Sequence, residues 1–332
     1  MGSIDGWSGK QPEPVPRWRA LLGRSRPRID DPALPGSGIP HPGSAPADPR
    51  LPRQSLGHPV EQTVDLERHP ALPLLRKDFG QPKVIAFVNP KGGVHKTTAT
   101  VLTAAALGSV RGRGVIAWDD NELRGTLGLR AGTARHARTI RHMVADIAEI
   151  EAAGSQLHER ADEYLRHSSD GSFDVLAGDE DPKLGRKLDP ETVLRVLDIL
   201  TRTHDIVCID TGNNVESPNW RTIVSNVDQL VVTTVPREDA AFAADWMLDL
   251  LVDDGFEELV ANAVTLLSCP TPRPGPLLDD LTAHFSSRTR QVAVVPYDPA
   301  LEPGAAIKYS QLRDSTRYAW LSAAAMIVAP FQ

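Results

Sequence analysis

The stretch Pro90-Lys91-Gly92-Gly93-Val94-His95-Lys96-Thr97-Thr98 constrains this chain more than any other. It follows the apolar run Val84-Ile85-Ala86-Phe87-Val88 and leads into an Ala- and Leu-rich segment, 97–110. A short continuous apolar run suits a strand buried on both faces of a parallel sheet, and the segment after the glycines suits a helix. A strand, a glycine turn and a helix together aim backbone N–H groups at an anion lying on the helix N-terminus. Gly92 and Gly93 let that backbone approach without a Cβ in the way. Lys96 would neutralise the β- and γ-phosphates, and the Thr97 hydroxyl would reach Mg²⁺. The motif therefore predicts a phosphate-binding loop made of Lys91, Gly92, Gly93, Val94, His95, Lys96, Thr97 and Thr98. Two positions depart from the general pattern. Pro90 stands where a first Gly is usual, and His95 stands where a Gly precedes the Lys; His tolerates positive φ better than most residues.

The rest of the chain alternates. Apolar runs at 114–118, 173–177, 205–210, 229–235, 261–267 and 291–295 read as strands, and 190–203, 239–251 and 314–328 read as helices. Residues 133–167 read as mostly helical and polar. Strands spaced by helices imply βαβ units, hence an α/β fold with a mostly parallel central sheet flanked by helices. The first 82 residues differ: they hold 15 of the 28 prolines. Proline at that density removes donors and breaks helices. The chain divides on this reading into a Pro-rich, basic, disordered arm, 1–82, and a nucleotide-binding domain, 83–332. Within the arm, residues 15–28 mix Trp18, Leu21 and Leu22 with five arginines. That patch suits either a short docking helix for an acidic partner, a membrane surface or nucleic acid, or a solvated linker.

With the loop written out as Lys-Gly-Gly-Val-His-Lys-Thr-Thr, the chain resembles the deviant-Walker ATPases of the ParA/MinD superfamily, in the SIMIBI class of P-loop NTPases. Their motif reads Lys-Gly-Gly-Val-Gly-Lys-Thr-Thr, and every residue but the fifth is present here. The resemblance implies ATP and Mg²⁺ as cofactors. It also gives Lys91 a role: the early lysine of that family reaches across an ATP-sandwiched homodimer to the partner's nucleotide. A second cation at the transferring phosphate fits the chemistry, since phosphoryl transfer is catalysed chiefly by positioned positive charge.

The resemblance also assigns carboxylates. Asp210 ends an apolar strand ahead of Thr211-Gly212 and matches the position that holds Mg²⁺ through water. After the second strand comes Asp119-Asp120-Asn121-Glu122-Leu123-Arg124. Aligned on Asp119, the residue that positions the attacking water is Asn121; aligned on Leu123-Arg124, it is Asp120. Lys91, Lys96 and Asp120 are thus the catalytic candidates, and Thr97 and Asp210 the metal candidates. An Asn can orient water but cannot take its proton, so hydrolysis that relies on Asn121 is expected to be slow. Base recognition falls to 266–268 and 294–299.

The loop, Asp210-Thr211-Gly212-Asn213-Asn214, the stretch 121–128 and the arm are similar to one branch in particular. That branch is the EspI-like ATPases encoded with actinobacterial type VII (ESX) secretion systems. The implied function is a nucleotide-dependent dimerising ATPase switch, linked through its arm to a secretion or positioning machine. Two alternatives stay open: a plasmid or chromosome partition ATPase that binds DNA without sequence preference, and a nucleotide-sensing adaptor that barely hydrolyses. Charge weighs on the first. Residues 1–150 carry 21 Lys and Arg against 14 Asp and Glu, while 151–332 carry 15 against 29. Phosphate backbones need cations, so the acidic half disfavours a broad DNA surface. A second basic stretch, Arg130, Arg135, Arg138 and Arg141 with His136 and His142, reads as a solvated helical face ahead of a surface for DNA, a partner or the acidic half of the same chain. The apolar stretch 318–330 is too short to span a bilayer, and no secretory signal opens the chain, so a cytoplasmic protein is expected.

Overall fold

The computed structural model describes residues 65–121, 125–133, 138–179 and 188–332. The docking patch at 15–28 and residues Glu122, Leu123, Arg124, Arg135 and His136 lie outside these residues. Eight strands form one sheet: β1 (Lys83–Val88), β2 (Val115–Asp120), β3 (Arg166–His167), β4 (Asp174–Leu176), β5 (Ile206–Thr211), β6 (Gln229–Thr234), β7 (Val264–Ser268) and β8 (Gln291–Val295). Their order is β3-β4-β2-β5-β1-β6-β7-β8. All neighbours run parallel except β3 and β4, a short antiparallel pair at one edge. The expected α/β fold is thus the observed one.

Burial explains the strand sequences. Residues 84–88 of β1 are buried without alternation, as are all of β2, β5 and β6, because helices cover both faces. The helices are α1 (Leu72–Leu75), α2 (Lys96–Arg111), α3 (Leu127–Arg130), α4 (Ile140–Ala145), α5 (Ile147–Glu151), α6 (Leu157–Asp162), α7 (Pro190–Thr203), α8 (Pro218–Val224), α9 (Glu238–Asp253), α10 (Glu257–Asn262), α11 (Leu277–Ser286) and α12 (Asp314–Val328). Helix α2 packs in the core against β1, β2 and β5, beside α12, which covers β6, β7 and β8. Its alanines keep it slim, and Gly108 lies so close to the Ser172 carbonyl that an added Cβ would meet that oxygen at 2.1 Å. Helix α7 starts as its sequence dictates: Asp189 accepts the Thr192 N–H at 2.8 Å, and Pro190 opens the first turn.

The described residues of 133–167 are mostly helical, as expected, but broken into three short α-helices and a 3-10 turn, with the edge strand β3 at the end. Other local expectations change. The strand expected from 261 begins at Val264, because Ala261 and Asn262 complete α10. Residues 65–82, assigned to the arm by proline content, are packed. Leu72 and Leu75 are buried, and the His69 ring meets Tyr318 O at 3.2 Å and Ser322 Oγ at 3.1 Å on α12. Arg111 donates to the carbonyls of Leu75 and Lys77. The composition boundary at residue 82 is therefore not where packing begins. Pro70 sits in a turn and Pro73 in the first turn of α1, where a missing N–H costs little.

Candidate phosphate-binding site

β1 lies between β5 and β6, so the chain leaves it in one direction and returns to its other side later. The crevice beyond the carboxyl ends of β1 and β5 is such a switch point, where open α/β sheets bind ligands. Asn89 closes β1 and anchors the loop. Its buried amide donates to Thr233 O at 2.8 Å, and its Oδ1 accepts the Lys91 N–H at 2.8 Å. Gly93 has φ 75°, and His95 has φ 67° and ψ 25° as the residue before α2. His95 is the one non-glycine residue with positive φ among those described.

Lys96, the first residue of α2, is buried. Its Nζ donates to Asn89 O at 2.9 Å and to Asn213 Oδ1. Burial lowers its pKa, opposed by nearby Asp210. Thr97 Oγ1 donates to Asp210 Oδ2 at 2.5 Å. The other carboxylate oxygen, Asp210 Oδ1, is buried with no hydrogen-bond partner among the described residues. A hydroxyl and a carboxylate with an open lone pair, side by side, fit the donor set of a hydrated Mg²⁺.

β2 and β5 pair in register, with Asp119 opposite Asp210 and Asp120 opposite Thr211. Asp119 accepts the N–H groups of Asn121 at 3.2 Å and Leu127 at 3.0 Å, which ties the loop after β2 to the strand. Burial pushes the Asp119 pKa up to about 6. Burial first, and the neighbouring Asp119 second, push Asp210 up to about 7.

A cavity of about 610 Å³ opens over these groups. Its walls include 92–98 of the loop, Asn121, Asp210 and Asn213. On the far side stand Ser268, Cys269, Pro296, Tyr297 and Trp320, so both stretches expected to meet a base reach the cavity. Ser268 Oγ and Trp320 Nε1 are buried there without hydrogen-bond partners among the described residues.

The three candidates after β2 separate here. Asn121 walls the cavity, whereas Asp119 and Asp120 do not. Successive strand side chains point to opposite faces, so Asp119 and Asp120, the last two residues of β2, cannot both face one site. Asp120, read as catalytic, is buried opposite Thr211. Lys91 does not wall the cavity either: its ammonium stands 3.3 Å from Asp239 on α9.

The sequence reading missed three residues. Asn89 and Asn213 hold the loop and its lysine: a lone Asn after a strand, like Asn89, carries no distinctive signal, and Asn213 enters the sequence reading only as part of the 210–214 motif, with no role of its own. Arg130, grouped with a solvated basic face, turns into the cavity. The other described members of that stretch find local partners: Arg138 pairs with Glu163 at 3.4 Å and Arg141 with Asp179 at 3.4 Å. His142 closes a capping box with Thr139.

Solved structures share this fold. A ParA family ATPase from Chlorobium tepidum TLS superposes with a TM-score of 0.61 at 18% identity, over 74% of this chain and 98% of that one. The septum site-determining protein MinD of Pyrococcus horikoshii OT3, complexed with Mg-ADP, gives 0.55 at 20% identity over 73% and 94%. The fold is that of the ParA/MinD ATPases. Among curated sequences, the ESX-1 secretion-associated protein EspI of Mycobacterium tuberculosis is 27% identical over 267 residues, 79% of this chain. The chain spans 38% of the length of that relative. No family model matches the chain. Lys96 and Asp210 both line the cavity at this crevice. Among the described residues, no helix is long and apolar enough to cross a membrane.

Proposed function

We propose that the chain is an ATP-binding, Mg²⁺-dependent dimerising switch with slow hydrolysis, acting in the cytoplasm beside a type VII secretion machine. The observation that carries the reading is the contact between Thr97 and Asp210 beneath a loop whose lysine is already drawn inward. Lys96 neutralises the β- and γ-phosphate oxygens, and the loop N–H groups orient them. Thr97 and Asp210 would hold Mg²⁺, which supplies further charge neutralisation. Asn121 faces the cavity and orients the attacking water through its amide oxygen. It cannot accept the proton, which leaves for phosphate or solvent, and turnover is slow for that reason. Lys91 exchanges its Asp239 contact for the partner protomer's nucleotide. The likeness to EspI supports the secretion link.

The test is equilibrium binding of Mg-ATP, with light scattering to read oligomeric state. Wild type should bind and dimerise. Lys96→Ala should lose affinity by on the order of a hundredfold, the scale of a buried charge-assisted contact. Lys91→Ala should bind but stay monomeric. Wild type that binds no ATP would sink the proposal. A second reading, a nucleotide sensor that does not turn over, is favoured by Asn121 in place of a carboxylate; no phosphate release from a dimer that forms with ATP would select it.

A further inference from the structure

Arg130 ends the short helix α3, and its backbone carbonyl accepts the Ile307 N–H at 2.7 Å. Its guanidinium spans two walls of the cavity. Nη2 donates to Thr98 Oγ1 at 3.0 Å on the first turn of α2, and Nη1 donates to Ala305 O at 2.5 Å. Ala305 directly follows Gly304, which walls the cavity, as do Tyr297 and Trp320. Among the described residues no carboxylate pairs with Arg130, whereas Arg111 pairs with Asp205 and Arg288 with Asp245. Burial alone accounts for the depressed basicity of Arg130. A half-buried guanidinium with fixed orientation and no counter-charge is costly unless an anion meets it. Its planar fork carries five donors, more than the two contacts use, and matches phosphate oxygens well.

Position decides which phosphate. Thr97, with Asp210, marks the metal end of the site, where the β- and γ-phosphates lie. Arg130 stands one residue further on, at Thr98, and bridges to the wall opposite. A nucleotide laid from that wall to the metal end brings its α-phosphate past this point. We infer that Arg130 is a nucleotide-binding residue that contacts a non-bridging oxygen of the α-phosphate and is released from Thr98 or Ala305 to do so. The inference rests on the reading of the cavity as a nucleotide site.

Titration calorimetry on the full chain with Mg²⁺ tests it. Arg130→Ala should weaken ADP and ATP by the same factor, roughly ten- to a hundredfold for one charge-assisted bond, because both carry the α-phosphate. Arg130→Lys should restore part of the loss. The two diastereomers of ADP carrying sulfur on the α-phosphate should bind wild type unequally and Arg130→Ala equally, a readout that a purely structural arginine would not move. Thermal melts of both variants confirm folding; if Arg130→Ala does not fold, Arg130→Lys should still shrink the diastereomer ratio. Loss confined to ATP, unchanged ADP affinity, or an undiminished diastereomer ratio in either variant would overturn the assignment while leaving nucleotide binding intact. Wild type that binds neither ADP nor ATP would overturn both readings.

Discussion

Lys91 Nζ lies 3.3 Å from Asp239 Oδ2, within a single chain, and Asp239 is also gripped by Arg237 at 2.6 Å. Both partners are 44% exposed, so the pair sits in high dielectric and stabilises the fold by about 1 kcal/mol at most. A lysine held this loosely by a carboxylate is available to a phosphate. Asp239→Asn should therefore change the unfolding free energy by less than about 1 kcal/mol. On the proposed dimer it should also lower the ATP concentration at which light scattering reports association. An unchanged association curve would separate Lys91 from dimerisation.

Asn121 faces the cavity where a carboxylate would serve as base. Asn121→Asp should raise the rate of phosphate release by on the order of tenfold or more, since a positioned base contributes about 10²–10⁴-fold in general. The measurement is single-turnover phosphate release. A rate equal to wild type would move the water-positioning role elsewhere.

His95 holds a left-handed conformation, φ 67°. That conformation costs an L-residue about 1–2 kcal/mol, and glycine gives back about 0.5–1 kcal/mol in chain entropy. His95→Gly should leave the domain equally stable or up to about 1 kcal/mol more stable by urea denaturation. Its ADP affinity should be equal to or higher than that of wild type. A clear destabilisation would show that the ring contributes packing that outweighs the strain.

Burial and Asp119 hold the Asp210 pKa at about 7, far above the usual carboxylate value near 4. Between about pH 4 and pH 7 the folded protein keeps a proton that the unfolded chain has released. This contribution to stability is therefore lost as pH rises through that window. His69 and His95, lowered by burial, work the other way as pH rises toward about 6.5. The difference between wild type and Asp210→Asn isolates the carboxyl. The advantage of Asp210→Asn in urea midpoint should grow from pH 5 to pH 7.5. A constant difference would place the Asp210 pKa near its ordinary value.

Gly108 tests the packing of α2. A Cβ there would meet the Ser172 carbonyl oxygen at 2.1 Å, and backbone cannot swing aside. Gly108→Ala should destabilise by about 1–3 kcal/mol and lower the melting temperature by several degrees. The melt is the check; no change in melting temperature would mean that the β3–β4 edge yields.

Much of this architecture is legible without coordinates because its signals are local. The all-apolar β1 and β5, the alanine-rich α2 and the Asp-Pro start of α7 each carry their own instruction. Most short elements do not. Helices α8 and α11 were not expected, nor was the edge strand β3, whose two residues are too few for periodicity to register, whereas β4 falls inside the expected strand 173–177. The packed segment 65–82 hid behind its prolines, whose density outweighed Leu72 and Leu75 in a compositional reading.

By itself, the sequence determined that a glycine loop joins a buried strand to a helix, with Lys96 and Thr97 at the junction and an aspartate ending another strand. Only the tertiary structure decided what meets what. Thr97 and Asp210 are 113 residues apart and touch because β5 pairs with β1. Asn121 rather than Asp120 enters the cavity because of strand alternation at the end of β2. Arg130 points inward because α3 and residues 305–307 close over Thr98. Propensity and spacing act over a few residues, whereas these contacts are set by how the sheet stacks distant strands, and side-chain direction follows from that stacking.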